Sequence, residues 1–325
     1  MMTSLPGGRA AFKSALFGFV ALGAAIVPAS ARIVRVVEES FPVAPGGEVR
    51  VTTSGGDIRV TTGDESVVHV RARQVFRGAD TDAEADEILE KLEFVLEAAG
   101  NDVVAKARYE GERGVWGWFG SRGNPVQVSF EVVVPADYRA NLATSGGDII
   151  VTALDGSAEV RTSGGDIRLG DINGEVKAST SGGDIVIERG GGRVSASTSG
   201  GDIKIVEAAG DVRASTSGGD VRVERVTGNI NASTSGGDVY ARIAGQFTED
   251  ISLGTSGGDV TAVIDEDIGL DLDASTSGGE VSAQGLTIRI DSGNPKRGKL
   301  RGEVNGGGPQ LRLRSSGGDI QIRIS

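Results

Sequence analysis

The sequence of 325 residues contains no cysteine, a single histidine, only eight prolines and 4% aromatic residues. Without cysteine there is no disulfide scaffold, no thiolate-ligated metal and no cysteine nucleophile. The lone His69 excludes a histidine-rich metal site, and it would have to serve any Ser-His-Asp arrangement. So few prolines exclude collagen, which also needs about one glycine in three. Basic residues are outnumbered, 33 against 45 acidic, for a net charge of −12. That balance disfavours nonspecific nucleic-acid binding, because phosphates need local positive charge. No apolar run approaches the roughly 20 residues that span a bilayer.

Glycine is the residue in excess, 52 of 325. Much of it falls in one tetrapeptide. Ser-Gly-Gly-Asp begins at Ser54, Ser145, Ser163, Ser181, Ser199, Ser217, Ser235, Ser256 and Ser316, with a Glu variant at Ser277. From Ser145 the spacing is 18 residues five times running, then 21 twice, then 39. The last interval is close to two units and reads as one lost corner motif near a basic loop.

Each unit carries two short strand patterns. Ile167-Arg168-Leu169, Ile185-Val186-Ile187, Ile203-Lys204-Ile205 and Val221-Arg222-Val223 follow the aspartates. Val176-Lys177-Ala178, Val194-Ser195-Ala196, Val212-Arg213-Ala214 and Ile230-Asn231-Ala232 precede the next motif. Outer residues are apolar and the middle one varies, the period of a strand with one buried face. Glycine corners separate the strands and are expected to supply positive φ. Equivalent residues stay alike from unit to unit, as they must if they stack about 4.8 Å apart on successive coils. In an antiparallel meander or sandwich, the rival topology, they lie two strands apart and nothing makes them alike. The sequence therefore predicts an all-β, parallel β-solenoid of about 18-residue coils.

Around this core the chain divides into three stretches. Residues 1–31 read as a signal peptide: Arg9 and Lys13, an apolar run from Leu16 to Val27, then Ala29-Ser30-Ala31 as a cleavage site. Residues 32–140 are expected to hold N-terminal β coils interrupted at about 74–125, and 141–325 the repetitive solenoid with a loop at about 291–308. Helical spacing of Ile88, Leu89, Leu92, Val95, Leu96 and Ala99 predicts one helical insertion over 82–99, capped by Thr81 or Asp82 and ended by Gly100. Both tryptophans follow, in Gly114-Val115-Trp116-Gly117-Trp118-Phe119-Gly120.

Catalytic signatures are poor. Gly254-Thr255-Ser256-Gly257-Gly258 fits the G-x-S-x-G elbow but copies the repeat corner, and strand rather than helix follows it. The run from Gly293 to Lys299 misses a phosphate loop, since Leu300 stands where a hydroxyl is needed. His69 alternates with Val68 and Val70 and shares the solvent face with Arg71 and Arg73. No metal site and no catalytic residue is assigned. Trp116, Trp118 and Phe119 are expected to pack between the helix and the solenoid, with an exposed platform for a sugar, membrane or partner as the alternative. The outward column Arg168, Lys204 and Arg222 reads as a scattered polar face, with a ligand-binding row as the alternative. These are the two ligand-binding candidates. The basic stretch Lys296, Arg297, Lys299 and Arg301 reads as a solvated loop, with an anionic glycan as the alternative.

Asp148, Asp166, Asp184, Asp202, Asp220, Asp238 and Asp259 form a structural corner ladder in the solenoid reading. Like charges about 4.8 Å apart repel by about 1 kcal/mol even in water. Each carboxylate is therefore expected to accept backbone N–H bonds at its glycine corner. Calcium along the column is the alternative, and no other cofactor is implied.

These residues resemble a family of bacterial exported proteins with an adhesin-like domain of unknown function. The likeness rests on an N-terminal strand pair, a spacer, the Val134-Pro135 marker and repeated S-G-D-I units. Here the unit is Ser145-Gly146-Gly147-Asp148-Ile149 with a doubled glycine. The resemblance covers most of 35–325. It implies a β-solenoid in the envelope or exterior, periplasmic, cell-surface or secreted, with no catalytic residues to carry over. The expected function is a non-enzymatic exported binding or structural protein whose partner is a glycan or an envelope protein. The alternatives are a carbohydrate-active solenoid enzyme, a polysaccharide lyase or hydrolase, and an envelope stress or assembly factor.

Overall fold

Side chains repeated at fixed places in each unit stack into continuous apolar columns. In the computed structural model Ile149, Ile167, Ile185, Ile203, Val221, Val239 and Val260 pair in register on successive parallel strands. Val151, Leu169, Ile187, Ile205 and Val223 form the next column inward-facing on the same strands. On the opposite wall Val160, Ala178, Ala196, Ala214 and Ala232 do the same. All are buried. The small alanines let the two walls approach closely, so one coil needs only a six-residue and a four-residue strand. The fold is an all-β, mostly parallel solenoid with a single short helical insertion.

The structure describes residues 32–64, 66–110, 124–245 and 247–325. The proposed leader at 1–31 lies outside them, as do Trp116, Trp118, Phe119 and the Lys296 side chain. Among the described residues no helix is long and apolar enough to cross a membrane. The strands form a 13-stranded and a 14-stranded sheet, here the first and second sheets. At the N-terminal side the first sheet ends in antiparallel strands: Val34–Pro42 pairs with Val67–Phe76, which pairs with Val126–Val134. The second ends in the hairpin Leu92–Ala99 and Asp102–Tyr109.

That hairpin corrects the helix expected over 82–99. Only Asp82–Leu89 is helical. Thr81 caps it: its hydroxyl accepts the Glu84 amide at 3.3 Å while the Glu84 carboxylate accepts the Thr81 amide at 3.2 Å. Residues 92–99 also alternate, with Leu92, Phe94 and Leu96 packed on or into the core, and they find a partner strand carrying buried Val103, Ala105 and Ala107. Pairing across the sheet satisfies the backbone as a helix would and sets Leu92, Phe94 and Leu96 against the core, so the strand pattern wins. Gly100, at φ +65°, turns the hairpin rather than ending a helix.

The glycine corners also differ from expectation. None of the Ser-Gly-Gly glycines has positive φ. Their requirement is space. A β-carbon on Gly165, Gly183, Gly201 or Gly219 would fall under 3 Å from the backbone of the preceding corner. The threonine before each corner fills the rest of that space. Thr162, Thr180, Thr198 and Thr216 are buried, and each hydroxyl donates to the second glycine carbonyl one coil back, at 2.9–3.0 Å. In the first three of these corners the hydroxyl also accepts the amide of its own second glycine, at 3.3–3.4 Å. A buried hydroxyl so paired ties one coil to the last without an unsatisfied group.

The 39-residue interval is not a missing corner. The coil holding strands Gln310–Arg314 and Ile320–Ile324 lies between two coils that precede it in the chain. Ile320–Ile324 pairs with Val260–Ile264 on one side and Val281–Gln284 on the other. Gln310–Arg314 likewise separates Ile251–Gly254 from Leu270–Ser275. The intervening residues form the strands Ile288–Asn294 and Lys299–Val304, which extend the second sheet beyond Leu270–Ser275. The predicted basic loop is thus mostly strand.

Candidate functional site

The register that stacks the core also fixes what faces water. On the first sheet the residue between the two buried columns points outward, so Arg168, Val186, Lys204, Arg222, Tyr240 and Thr261 lie in one row. Adjacent members are about 4.8 Å apart along the row. The sequence-predicted trio Arg168, Lys204 and Arg222 is therefore brought onto one face, with Val186 separating the first two. Arg59 continues the row through Ile150. The Arg222 guanidinium carbon stands 4.2 Å from the centre of the Tyr240 ring, a cation–π contact. Tyr240, left aside by the sequence reading, is the aromatic surface of this row.

Acids flank the row. Arg168 pairs with Asp166 at 2.8 Å and lies 3.9 Å from Asp148. Arg222 pairs with Glu224 at 2.8 Å, and that bond holds the Glu224 carboxyl below the usual carboxylate range despite slight burial. A third row on the same sheet alternates in charge: Asp171, Arg189, Glu207, Arg225. Arg225 and Glu207 are 3.2 Å apart. The face is charged, balanced and periodic, with half-exposed cations that hold their ends in water.

The aspartate ladder runs along the edge of this face. Oδ1 of Asp148 accepts the backbone N–H of Asp166 at 2.9 Å, Asp166 that of Asp184 at 3.0 Å, and Asp184 that of Asp202 at 2.8 Å. The series continues through Asp220, Asp238 and Asp259 at 2.7–2.8 Å. It starts one coil earlier than predicted, at Asp57. The donor is the next coil's amide rather than one in the same corner. A charge-assisted bond at each step offsets the repulsion between neighbours. Among the described residues no group of three or more His, Cys, Asp or Glu is placed to hold a metal ion.

A second polar feature lies on the second sheet, where Asp273 is nearly buried. Its outward carboxylate meets Arg314 at 2.6 Å and Arg301 at 3.1 Å. Burial pushes its pKa up, but the two guanidiniums prevail and hold it below its ordinary 3.8. Because the folded value is depressed, the stabilisation is present above the unfolded value and disappears as pH falls through the folded one. Acid titration of the full chain is expected to loosen the coil of residues 310–324 below about pH 4, and Asp273→Asn to remove that step. Hydrogen exchange across the titration reads both. His69, exposed, meets Ser40 Oγ through Nδ1 at 2.8 Å.

Residues 191–323 match the family model described as Toastrack DUF4097. The chain is also similar to solved structures of low identity. An adhesin candidate from Parabacteroides merdae is 9% identical over 89% of this chain and 96% of its own, with a TM-score of 0.46. A lipid-binding candidate from Parabacteroides distasonis is 11% identical over 88% and 96%, with a TM-score of 0.43. An adhesin candidate from Bacteroides fragilis is 11% identical over 89% and 97%, with a TM-score of 0.37. No curated protein matches the chain.

Proposed function

We propose that the protein is an exported, non-catalytic binding protein, adhesin-like in its mode of action, that holds an extended acidic glycan along the outer face of the first sheet. The observation that supports this reading is the register-fixed row in which Arg168, Lys204 and Arg222 share one line with Tyr240. The paired strands fix the backbone spacing of these positions, so binding has to order only the side-chain ends. The export reading rests on the leader at 1–31.

A glycan array with the mature chain, joined to a reducing-sugar release assay, tests the proposal. Binding without product is the expected result. The triple variant Arg168→Ala, Lys204→Ala, Arg222→Ala is expected to lose on the order of tenfold or more in affinity. Its melting temperature should stay close to the parent's, because exposed positions rarely matter to stability. Product release would favour a carbohydrate-active enzyme instead, and full binding by the triple variant would move the site elsewhere.

A further inference from the structure

The coil of residues 309–325 has an unusual position. Its two neighbouring coils, 251–264 and 270–284, both precede it in the chain, so it enters a slot whose walls are already built. We propose that this coil exchanges between molecules: it leaves its own slot and occupies that of a second copy, giving a reciprocal dimer.

Three observations converge on this. First, the slot recognises the coil through features every copy carries. Ile320 stacks between Val260 and Val281, and Ile322 between Ala262 and Ala283. Asp259 accepts the Asp319 amide at 2.7 Å, and Asp319 accepts the Glu280 amide at 2.9 Å. Arg314 adds a specific lock, bonding Asp273 Oδ2 at 2.6 Å and its carbonyl oxygen at 2.8 Å. A second copy presents the same groups in the same register, which makes the exchanged contact self-complementary.

Second, the connection to this coil can serve as a hinge once the bonds of Asn305 to the Glu266 and Ile268 carbonyls and of the Gly308 amide to Asp271 are released. Between strand Lys299–Val304 and strand Gln310–Arg314 the chain reads Asn305-Gly306-Gly307-Gly308-Pro309. Asn305, Gly306 and Gly307 are consecutive left-handed residues, at φ +49°, +90° and +80°. Nowhere else among the described residues do three such conformations follow one another. Glycines permit the closed path and equally permit an extended one, and the extended path carries the coil outward.

Third, an empty slot is costly and so favours a second coil. Val260 and Ala262 on one wall and Val281 and Ala283 on the other lose their partners, and the Asp259 carboxylate and the Glu280 amide lose theirs. The displaced coil cannot stay in water, because Leu311, Leu313, Ile320 and Ile322 are all fully buried when it is docked. It must return or find an equivalent slot.

The absence of cysteine makes the test direct. Thr261 and Gln321 are outward and paired across the slot boundary, within the Cα separation a disulfide tolerates, about 4.4–6.8 Å. The full chain carrying Thr261→Cys and Gln321→Cys is partly unfolded in denaturant, refolded over a range of concentrations and oxidised. Exchange predicts covalent dimers on non-reducing gels whose fraction rises with concentration, above the level given by Gln321→Cys alone. Removing Gly306 and Gly307 from the double variant hinders closure on its own slot, which otherwise has the advantage of a tethered segment. It is expected to raise the dimer fraction on the order of tenfold. Intramolecular disulfide alone at every concentration, or dimers no more abundant than in the single-cysteine control, would overturn the proposal. A protease-sensitive 309–325 segment without dimers would mean that the slot closes on itself, and it overturns exchange equally.

Discussion

Ile203→Asp will unfold the coils around it. Ile203 is 1% exposed and sits in register between Ile185 and Val221, with no polar side chain in its column. An aspartate there loses the transfer energy of the isoleucine, leaves a cavity and buries an unpaired charge, together more than about 4 kcal/mol. Each coil touches only its neighbours, so the damage spreads by broken interfaces rather than through one global core. Denaturant unfolding followed by far-ultraviolet dichroism should show an earlier, less cooperative transition. Lys204→Asp, one residue away and outward, is the control and should leave the midpoint nearly unchanged. If both variants melted like the parent, the buried columns would be wrong.

The second large effect separates two adjacent glycines. Gly165→Ala brings a β-carbon under 3 Å from Gly147 carbonyl atoms and the Asp148 amide, all of them backbone. The coils must part to admit it, at a cost of about 1–3 kcal/mol or more. Gly164→Ala meets nothing nearer than 3.8 Å, and its φ is not left-handed. Alanine there restricts the unfolded chain and is expected to be neutral or to stabilise by about 0.4–1 kcal/mol. The tolerance of this first glycine declines along the stack: the nearest atom stands at 3.6 Å for Gly182, 3.1 Å for Gly218 and 2.8 Å for Gly257. A scan of alanine at these positions should therefore show stability falling in that order. Equal effects at Gly164 and Gly165 would exclude close approach as the reason for the doubled glycine.

Much of the solenoid was readable because its cause is local and repeated. A narrow interior demands the same size at each level, and the isoleucine column states that demand in the sequence. The outward row was readable for the same reason, since Arg168, Lys204 and Arg222 inherit their alignment from the residues beside them. What escaped has other causes. Residues 92–99 satisfy both a helical and a strand period, and only the partner strand 102–109 decides between them. The order of coils in space departs from their order in the chain at 309–325, and identical columns cannot reveal which neighbour they stack on. The threonine ladder was open to view, because a threonine or serine precedes every Ser-Gly-Gly corner. A polar residue of constant identity beside a tight turn is the sign of a buried hydroxyl bond.

From Asp148 to Asp238 the aspartate bonds all run one way: each carboxylate receives the amide of the coil that follows it in the chain. Each layer therefore offers its successor the same acceptor that it used itself, and no layer needs to be in a particular place. A gene that gains or drops one 18-residue stretch between Ser163 and Ser235 leaves every such handshake intact. Copy number can drift by unequal recombination, moving the height of the stack in steps of about 4.8 Å while its chemistry stays the same.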